Sequence, residues 1–268
     1  MSLNFGIIGY GEVGQIFARE LLANGAGSVT VYDRLFGQPV TEARIKKAGE
    51  IGVRVANSAE DAIRGADFII SAVTADQAKA VAVTASAFLQ PGQIFLDVNS
   101  ASPDTKIESS KIVDATGANF VEGAVMATVP GPNLAVPMLT GGAKAAYAAS
   151  VLNPLGMDLT PVSETTGRAS ATKLCRSIMI KGIEALIIQC KESCEKWGVE
   201  EEVFASLTKS YPGMDWKKLA VQMRGRVREH GVRRSAEMRE AGQMVAALGM
   251  DESLCSGIAD VQASFAGK

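Results

Sequence analysis

The sequence predicts an α/β domain with a doubly wound, mostly parallel sheet, followed by an all-α domain reached through a long interdomain helix. Three observations carry this expectation. Strand-length apolar runs alternate with helix-length amphipathic stretches through the first part of the chain. A glycine-rich turn, Gly9-Tyr10-Gly11-Glu12-Val13-Gly14, joins the first strand pattern to the first helix pattern. From Thr165 onward the strand signals stop and the helical ones lengthen, so the expected division is residues 1–164 and 165–268.

The elements follow in order. Phe5-Gly6-Ile7-Ile8 is the first strand and Ser28-Val29-Thr30-Val31-Tyr32-Asp33 contains the second, with a helix between them. Val53-Arg54-Val55 is a short strand; Ser58 caps a helix carrying Ala59 to Arg64. Asp67 to Val73 is a buried-type strand, apolar on both faces as parallel sheets require. Thr74 to Leu89 reads as a helix ended by Pro91-Gly92, Ile94 to Val98 as a strand, and Pro103 to Val113 as a helix with proline in its first turn. Asn119 to Glu122 and Val136 to Thr140 are later strands, followed by a helix from Ala143 to Leu152 and a short strand near Leu159. Beyond the boundary near Glu164, the stretch from Ser170 to Trp197 is one long helix. The remainder is helical, with a loop at Ser210-Tyr211-Pro212-Gly213 and a break at His230-Gly231.

The glycine turn has a physical purpose at that position. A pyrophosphate needs close approach to backbone N–H groups at a helix N-terminus, where unpaired donors and the helix dipole favour an anion. Gly9 makes the tight turn, Gly11 admits the pyrophosphate to the main chain, and Gly14 lets the helix lie close on the strand. With Tyr10, Glu12 and Val13 these residues form the expected cofactor loop of a Rossmann-type domain. Asp33, closing the second strand, is placed to accept hydrogen bonds from the adenosine ribose, which favours NAD by repelling a 2′-phosphate. Arg34 works in the other direction: it serves equally well as a phosphate clamp for NADP or as a solvated side chain after the strand.

Composition narrows the class. The chain has 268 residues, 27 Lys+Arg against 29 Asp+Glu, and 47% hydrophobic residues, enough for a real core and without the bulk charge that seeks nucleic acid. No apolar run approaches the roughly 18 to 20 residues of a membrane span, and the N-terminus lacks a signal-peptide pattern, so a cytoplasmic protein without membrane partners is expected. Cys175, Cys190, Cys194 and Cys255 form no CxxC pair, which speaks against a structural metal. Cys190 and Cys194, one helical turn apart, read as small residues on an apolar helix face.

Three stretches in a fixed order resemble the β-hydroxyacid dehydrogenase family, which includes 3-hydroxyisobutyrate dehydrogenase and is related to 6-phosphogluconate dehydrogenase. The first is the glycine loop. The second, Asp97-Val98-Asn99-Ser100-Ala101-Ser102-Pro103, is similar to the family's D-x-S-T-x-x-P stretch. The third, Gly167-Arg168-Ala169-Ser170-Ala171-Thr172-Lys173, is similar to the G-x-G-x-x-x-K that opens the long interdomain helix. The resemblance implies that Lys173 is the catalytic residue, taking or supplying the hydroxyl proton during hydride transfer. It also implies a small-molecule substrate and a homodimer paired through the helical domain. Two departures point to a divergent, phosphogluconate-dehydrogenase-like branch. Ser177 stands where the family places an asparagine four residues beyond the lysine, and Met126-Ala127-Thr128 stands where it carries a Ser-Gly-Gly for the substrate carboxylate.

Asn99 and Ser100 lie just past a strand's C-terminal end, the edge at which open α/β sheets bind ligands, and Val73 and Thr74 occupy the same edge one strand earlier. The expected contacts are Val73, Thr74 and Asn99 for the cofactor and Asn99, Ser100, Met126 and Ser177 for the substrate. His230 and Arg234, in the basic stretch Arg224 to Glu237, are candidate replacements for the missing carboxylate grip. The leading expectation is an NAD(P)-dependent oxidoreductase acting on a CH–OH group, with NAD favoured. The alternatives are an imine reductase, a lysine-dependent lyase and a noncatalytic dinucleotide sensor.

Overall fold

A computed structural model of the chain describes residues 2–268. The chain packs as two units, the first ending at Lys173 and the second running Leu174–Lys268.

The first unit is built on strands β1 (Asn4–Ile8), β2 (Ser28–Tyr32), β3 (Arg54–Val55), β4 (Phe68–Ser71), β5 (Ile94–Asp97), β6 (Asn119–Val125), β7 (Pro137–Gly141) and β8 (Asp158–Ser163). They form one sheet in the order β3-β2-β1-β4-β5-β6-β7-β8. Every pair is parallel except β6 with β7. The order reverses between β1 and β4, which makes the carboxyl ends of those two strands the topological switch point. The connecting helices are α1 (Glu12–Ala23), α2 (Glu42–Glu50), α3 (Ala59–Ile63), α4 (Ala78–Ser86), α5 (Pro103–Asp114) and α6 (Ala145–Leu152).

Strand alternation distributes the apolar residues to two cores. Phe5, Ile7, Val31, Phe68, Ile70 and Leu96 belong to one, together with Phe17 and Leu21 of α1. Ile8, Ile69, Phe95 and Phe120 belong to the other, with Ile63, Ala82, Ala85 and Val113 from α3, α4 and α5. Phe5 stacks on Phe68 and Phe95 on Phe120, each pair across adjacent or neighbouring strands.

The helical part comprises α7 (Arg168–Trp197), which begins in the first unit, and α8 (Glu200–Ser210), α9 (Trp216–Ala247) and α10 (Ser253–Ser264). Ile187, Phe204, Ala220 and Met223 form an apolar cluster there. Among the described residues, no helix is long and apolar enough to cross a membrane, and no group of His, Cys, Asp or Glu could hold a metal ion.

Two expectations about the elements need correction. The helix expected over Thr74 to Leu89 is shorter. A 3₁₀ turn at Ala75–Gln77 precedes α4, and the helix closes after Ser86. There the N–H groups of Phe88 and Leu89 both donate to the Ala85 carbonyl, turning Leu89 into the core. The break expected at His230-Gly231 is absent, because α9 runs through it. Gly231 is instead a site of close packing: a Cβ there would lie 2.4 Å from the Gln262 carbonyl oxygen of α10.

Candidate active site

The glycine loop follows β1 at the switch point. Gly9 has φ +98°, a conformation that L side chains rarely adopt, and its N–H donates to Tyr32 O at 2.8 Å. A Cβ on Gly14 would stand 2.0 Å from Gly9 O, so α1 rests on the turn with no room for a side chain. Gly11 differs from both, since a Cβ there would meet nothing within 4 Å. It is the N-cap of α1 and supplies no side-chain acceptor, which leaves the N–H groups of the first turn for an outside anion. This combination, open space over Gly11 and an uncapped helix end, fits a pyrophosphate. Glu12 and Val13 form the first turn of α1.

Asp33 is held by two backbone donors. Tyr10 N–H bonds its Oδ2 at 2.7 Å and Leu35 N–H its Oδ1 at 2.9 Å. The carboxylate is thereby fixed beside the loop, with lone pairs left for hydroxyl donors. Arg34 is exposed and donates to Gln77 Oε1 at 3.0 Å. The Tyr10 ring is buried edge-on to Phe36, and that burial raises the phenol's pKa, so Tyr10 serves the loop through its main chain.

The same sheet edge carries a polar lattice one and two strands away. Asn99 is buried, its Oδ1 accepting Val73 N–H at 2.6 Å and its Nδ2 donating to Ser71 Oγ at 2.9 Å. Asn99 N–H donates to Asp97 Oδ1 at 2.9 Å. Asn99 thus ties the ends of β4 and β5 together and holds the Val73 backbone. Thr74 is exposed and bonds the Asp76 carboxylate, whose pKa it helps to lower.

Sequence reasoning overlooked what lies beneath this edge. Lys106 of α5, 1% exposed, is ion-paired with the wholly buried Asp97 at 3.0 Å and donates to the Asp97 carbonyl at 2.8 Å. The available signal was an aspartate ending an apolar strand and a lysine in the helix that follows.

Lys173, in the second turn of α7, donates from Nζ to Ser100 Oγ at 2.6 Å. An amine and a hydroxyl are therefore juxtaposed at the carboxyl end of β5, the chemistry needed to pass a proton to or from a substrate oxygen. Met126, half-buried, follows β6 at its carboxyl end.

The remaining expected residues lie in the helical unit, each beside a different carboxylate of that unit. Ser177 Oγ donates to Glu237 Oε1 at 2.5 Å, and that oxygen also pairs with Lys181 at 2.9 Å. Burial, the largest influence, lowers the Lys181 pKa against the opposing effect of Glu237. Arg234 is bound to the buried carboxylate of Glu184, which also accepts from Gln262. The Arg234 guanidinium is therefore committed within the helical core. His230 is partly exposed, with Glu229 Oε1 at 3.7 Å.

Residues 4–167 match the family model described as the NAD binding domain of 6-phosphogluconate dehydrogenase. That span exceeds half of the chain and includes both motif loops described above. The chain belongs to the β-hydroxyacid dehydrogenase family. Residues 195–265 also match a domain of unknown function, DUF1932. A conserved hypothetical protein from Sinorhizobium meliloti 1021 is 38% identical and superimposes with a TM-score of 0.86, over 98% of this chain and 88% of its own. A conserved protein described as structurally similar to 3-hydroxyacid dehydrogenases is 28% identical with a TM-score of 0.79, covering 98% of this chain and 96% of its own. The mitochondrial 3-hydroxyisobutyrate dehydrogenase of Drosophila melanogaster is 26% identical over 219 residues, 80% of this chain and 65% of that enzyme. This β-hydroxyacid dehydrogenase-family chain thus has a nicotinamide-dinucleotide-binding domain on a hydroxyacid dehydrogenase fold.

Proposed function

We propose that the protein is an NAD-dependent oxidoreductase that interconverts a CH–OH group and its carbonyl, with Lys173 as general acid/base. The observation that carries this is the 2.6 Å bond from Lys173 Nζ to Ser100 Oγ, made at the ligand-binding edge of a dinucleotide fold. The dinucleotide, when bound, supplies the hydride acceptor or donor. In oxidation, the neutral Lys173 amine takes the hydroxyl proton as the carbon loses hydride; in reduction, its ammonium returns that proton to the carbonyl oxygen. Ser100 holds the substrate oxygen beside the amine. Asn99 keeps the Val73 and Ser100 loops in register and so acts on the cofactor and substrate through the backbone. Asp33 supports NAD over NADP: its carboxylate, held by the Tyr10 and Leu35 N–H groups beside the glycine loop, disfavours a 2′-phosphate, and Arg34 is drawn to Gln77. The helical unit is the substrate and pairing domain of a homodimer. The exposed Met179 and Leu186 of α7 support such pairing.

The 3-hydroxy acids are the substrates to try first, since the Drosophila relative is named for one. Met126 and Ala127 favour a second reading, an imine reductase, because a more apolar lining suits a substrate without a carboxylate. One variant separates the two. Turnover of 3-hydroxy acids with NAD, followed by nicotinamide absorbance and lost at least a thousandfold in Lys173→Met, supports the proposal; a roughly 10²–10⁴-fold effect is typical of a general base alone. Lys173→Met retaining full reduction of cyclic imines, with no alcohol oxidation by the wild type, overturns it.

A further inference from the structure

Glu122 has an environment that a core strand does not ordinarily offer. It is wholly buried in β6, between Val121 and Gly123, and among the described residues no Lys or Arg is ion-paired with it. Its carboxylate is satisfied entirely by the start of α7. Oε1 accepts Gly167 N–H at 2.7 Å and Ala169 N–H at 3.0 Å, while Oε2 accepts Ser170 N–H at 3.2 Å and the Ser170 hydroxyl at 2.8 Å. A buried carboxylate is costly unless its hydrogen bonds are complete. A helix N-terminus meets that need, because its first N–H groups have no partner within the helix and its dipole attracts negative charge. Glu122 thus caps α7 from a strand 45 residues upstream of Gly167.

The surrounding chain is shaped to admit it. A Cβ on Gly141 of β7 would stand 2.4 Å from Glu122 Oε1, so the carboxylate occupies the space that a side chain there would need. Gly167, at φ +104°, turns the chain into the helix. The consequence falls on Lys173, one turn beyond Ala169. Pinning residues 167 to 170 sets both the start and the rotation of α7, and therefore the direction in which residue 173 leaves the helix.

We infer that Glu122 is the positioning residue for Lys173: by capping α7 from β6 it aims the amine at Ser100, and its buried charge offsets the positive end of the helix on which that amine stands. This inference rests on Lys173 being the acid/base. Glu122 touches no reacting atom in this scheme; it acts through the helix. Its charge makes the role distinguishable from simple packing. Removing a negative charge and uncovering the first-turn N–H groups both disfavour an ammonium nearby, so both move Lys173 toward the neutral amine at lower pH.

The test uses the full chain and needs no known substrate. Amine labelling by trinitrobenzenesulfonate is followed peptide by peptide across pH, alongside amide hydrogen exchange, in wild type, Glu122→Gln and Ser170→Ala. The expected result for Glu122→Gln is exchange at 167–170 at least about tenfold faster, with the Lys173 labelling midpoint lower by roughly half a pH unit or more. Ser170→Ala, which keeps the charge and loses the hydroxyl that reaches Glu122 Oε2 and the Gly167 carbonyl, speeds exchange at 167–170 by a smaller factor and leaves the midpoint in place. Unchanged exchange and midpoint in Glu122→Gln overturn the inference. Should Glu122→Gln fail to fold, Gly141→Ala, which displaces the carboxylate, must speed the same exchange together with Ser170→Ala; wild-type exchange in both is the contrary result. Turnover of a 3-hydroxy acid by Lys173→Met judges the acid/base role separately, so a failure there is not mistaken for a failure of the Glu122 cap.

Discussion

A methyl group added at Gly11 should impair nucleotide binding and leave folding intact, whereas the same group at Gly14 should impair folding. The space over Gly11 is open to 4 Å, and its φ of −74° suits alanine. Gly11→Ala therefore changes stability by no more than about 1 kcal/mol in either direction. The methyl group does, however, occupy the approach to the first-turn N–H groups, and a displacement of the pyrophosphate that costs about 1.4 kcal/mol or more weakens NADH binding at least tenfold. At Gly14 the added carbon lies 2.0 Å from Gly9 O, a backbone atom, so helix and turn must separate by more than 1 Å. Overpacking of that kind costs about 1–3 kcal/mol, and each kcal/mol lowers Tm by roughly 2–4 °C in a protein of this size. Thermal melts without nucleotide, together with calorimetric NADH titration, read both effects. Wild-type NADH affinity in Gly11→Ala, or a wild-type melt in Gly14→Ala, refutes the account of the loop.

Two further variants probe buried charges. Lys106→Met strands the Asp97 carboxylate in the core, and removal of one partner from such a pair costs about 3–5 kcal/mol in urea unfolding. Adding Asp97→Asn to it should recover part of that loss, and a single-variant cost below about 1 kcal/mol would show the pair to be incidental. Lys181 has a pKa lowered by burial, so the unfolded chain binds more protons than the folded one as pH approaches the ordinary lysine value of 10.5. The burial penalty is fully present at neutral pH and fades as pH rises toward that value. Wild type should therefore gain stability relative to Lys181→Met on going from neutral pH toward 10.5, and a constant difference across that range would contradict the assignment.

The sequence-legible features share a local cause. The Gly9-to-Gly14 spacing, the Ser58 cap that accepts from Asp61 N–H, and the Ser102-Pro103 start of α5 are each read from residues within a few positions of one another, and Asp33 from its place at the end of a strand pattern, although in the fold Tyr10 N–H holds its carboxylate. The juxtaposition of Lys173 with Ser100 was accessible only through the order of three family motifs, since 73 residues separate the two. The features that escaped are buried polar pairs between separate elements: Asp97 with Lys106, Glu122 with the α7 N-terminus, and Glu184 with Arg234. Their signal is a charged residue inside an apolar run, which shows that a partner is needed without showing where it comes from. Gly231 misled for a related reason. In sequence a glycine within a helical pattern reads as a break, whereas here it leaves room for α10's backbone at Gln262.

The measurement that bears most directly on the central claim is calorimetric titration of NADH and NADPH, side by side, into wild type and Asp33→Ala. Low-micromolar binding that favours NADH, with the preference weakened by the substitution, is the predicted result. Failure of the wild type to bind either nucleotide would contradict an oxidoreductase built on this loop, and tighter binding of NADPH would reverse the roles given to Asp33 and Arg34.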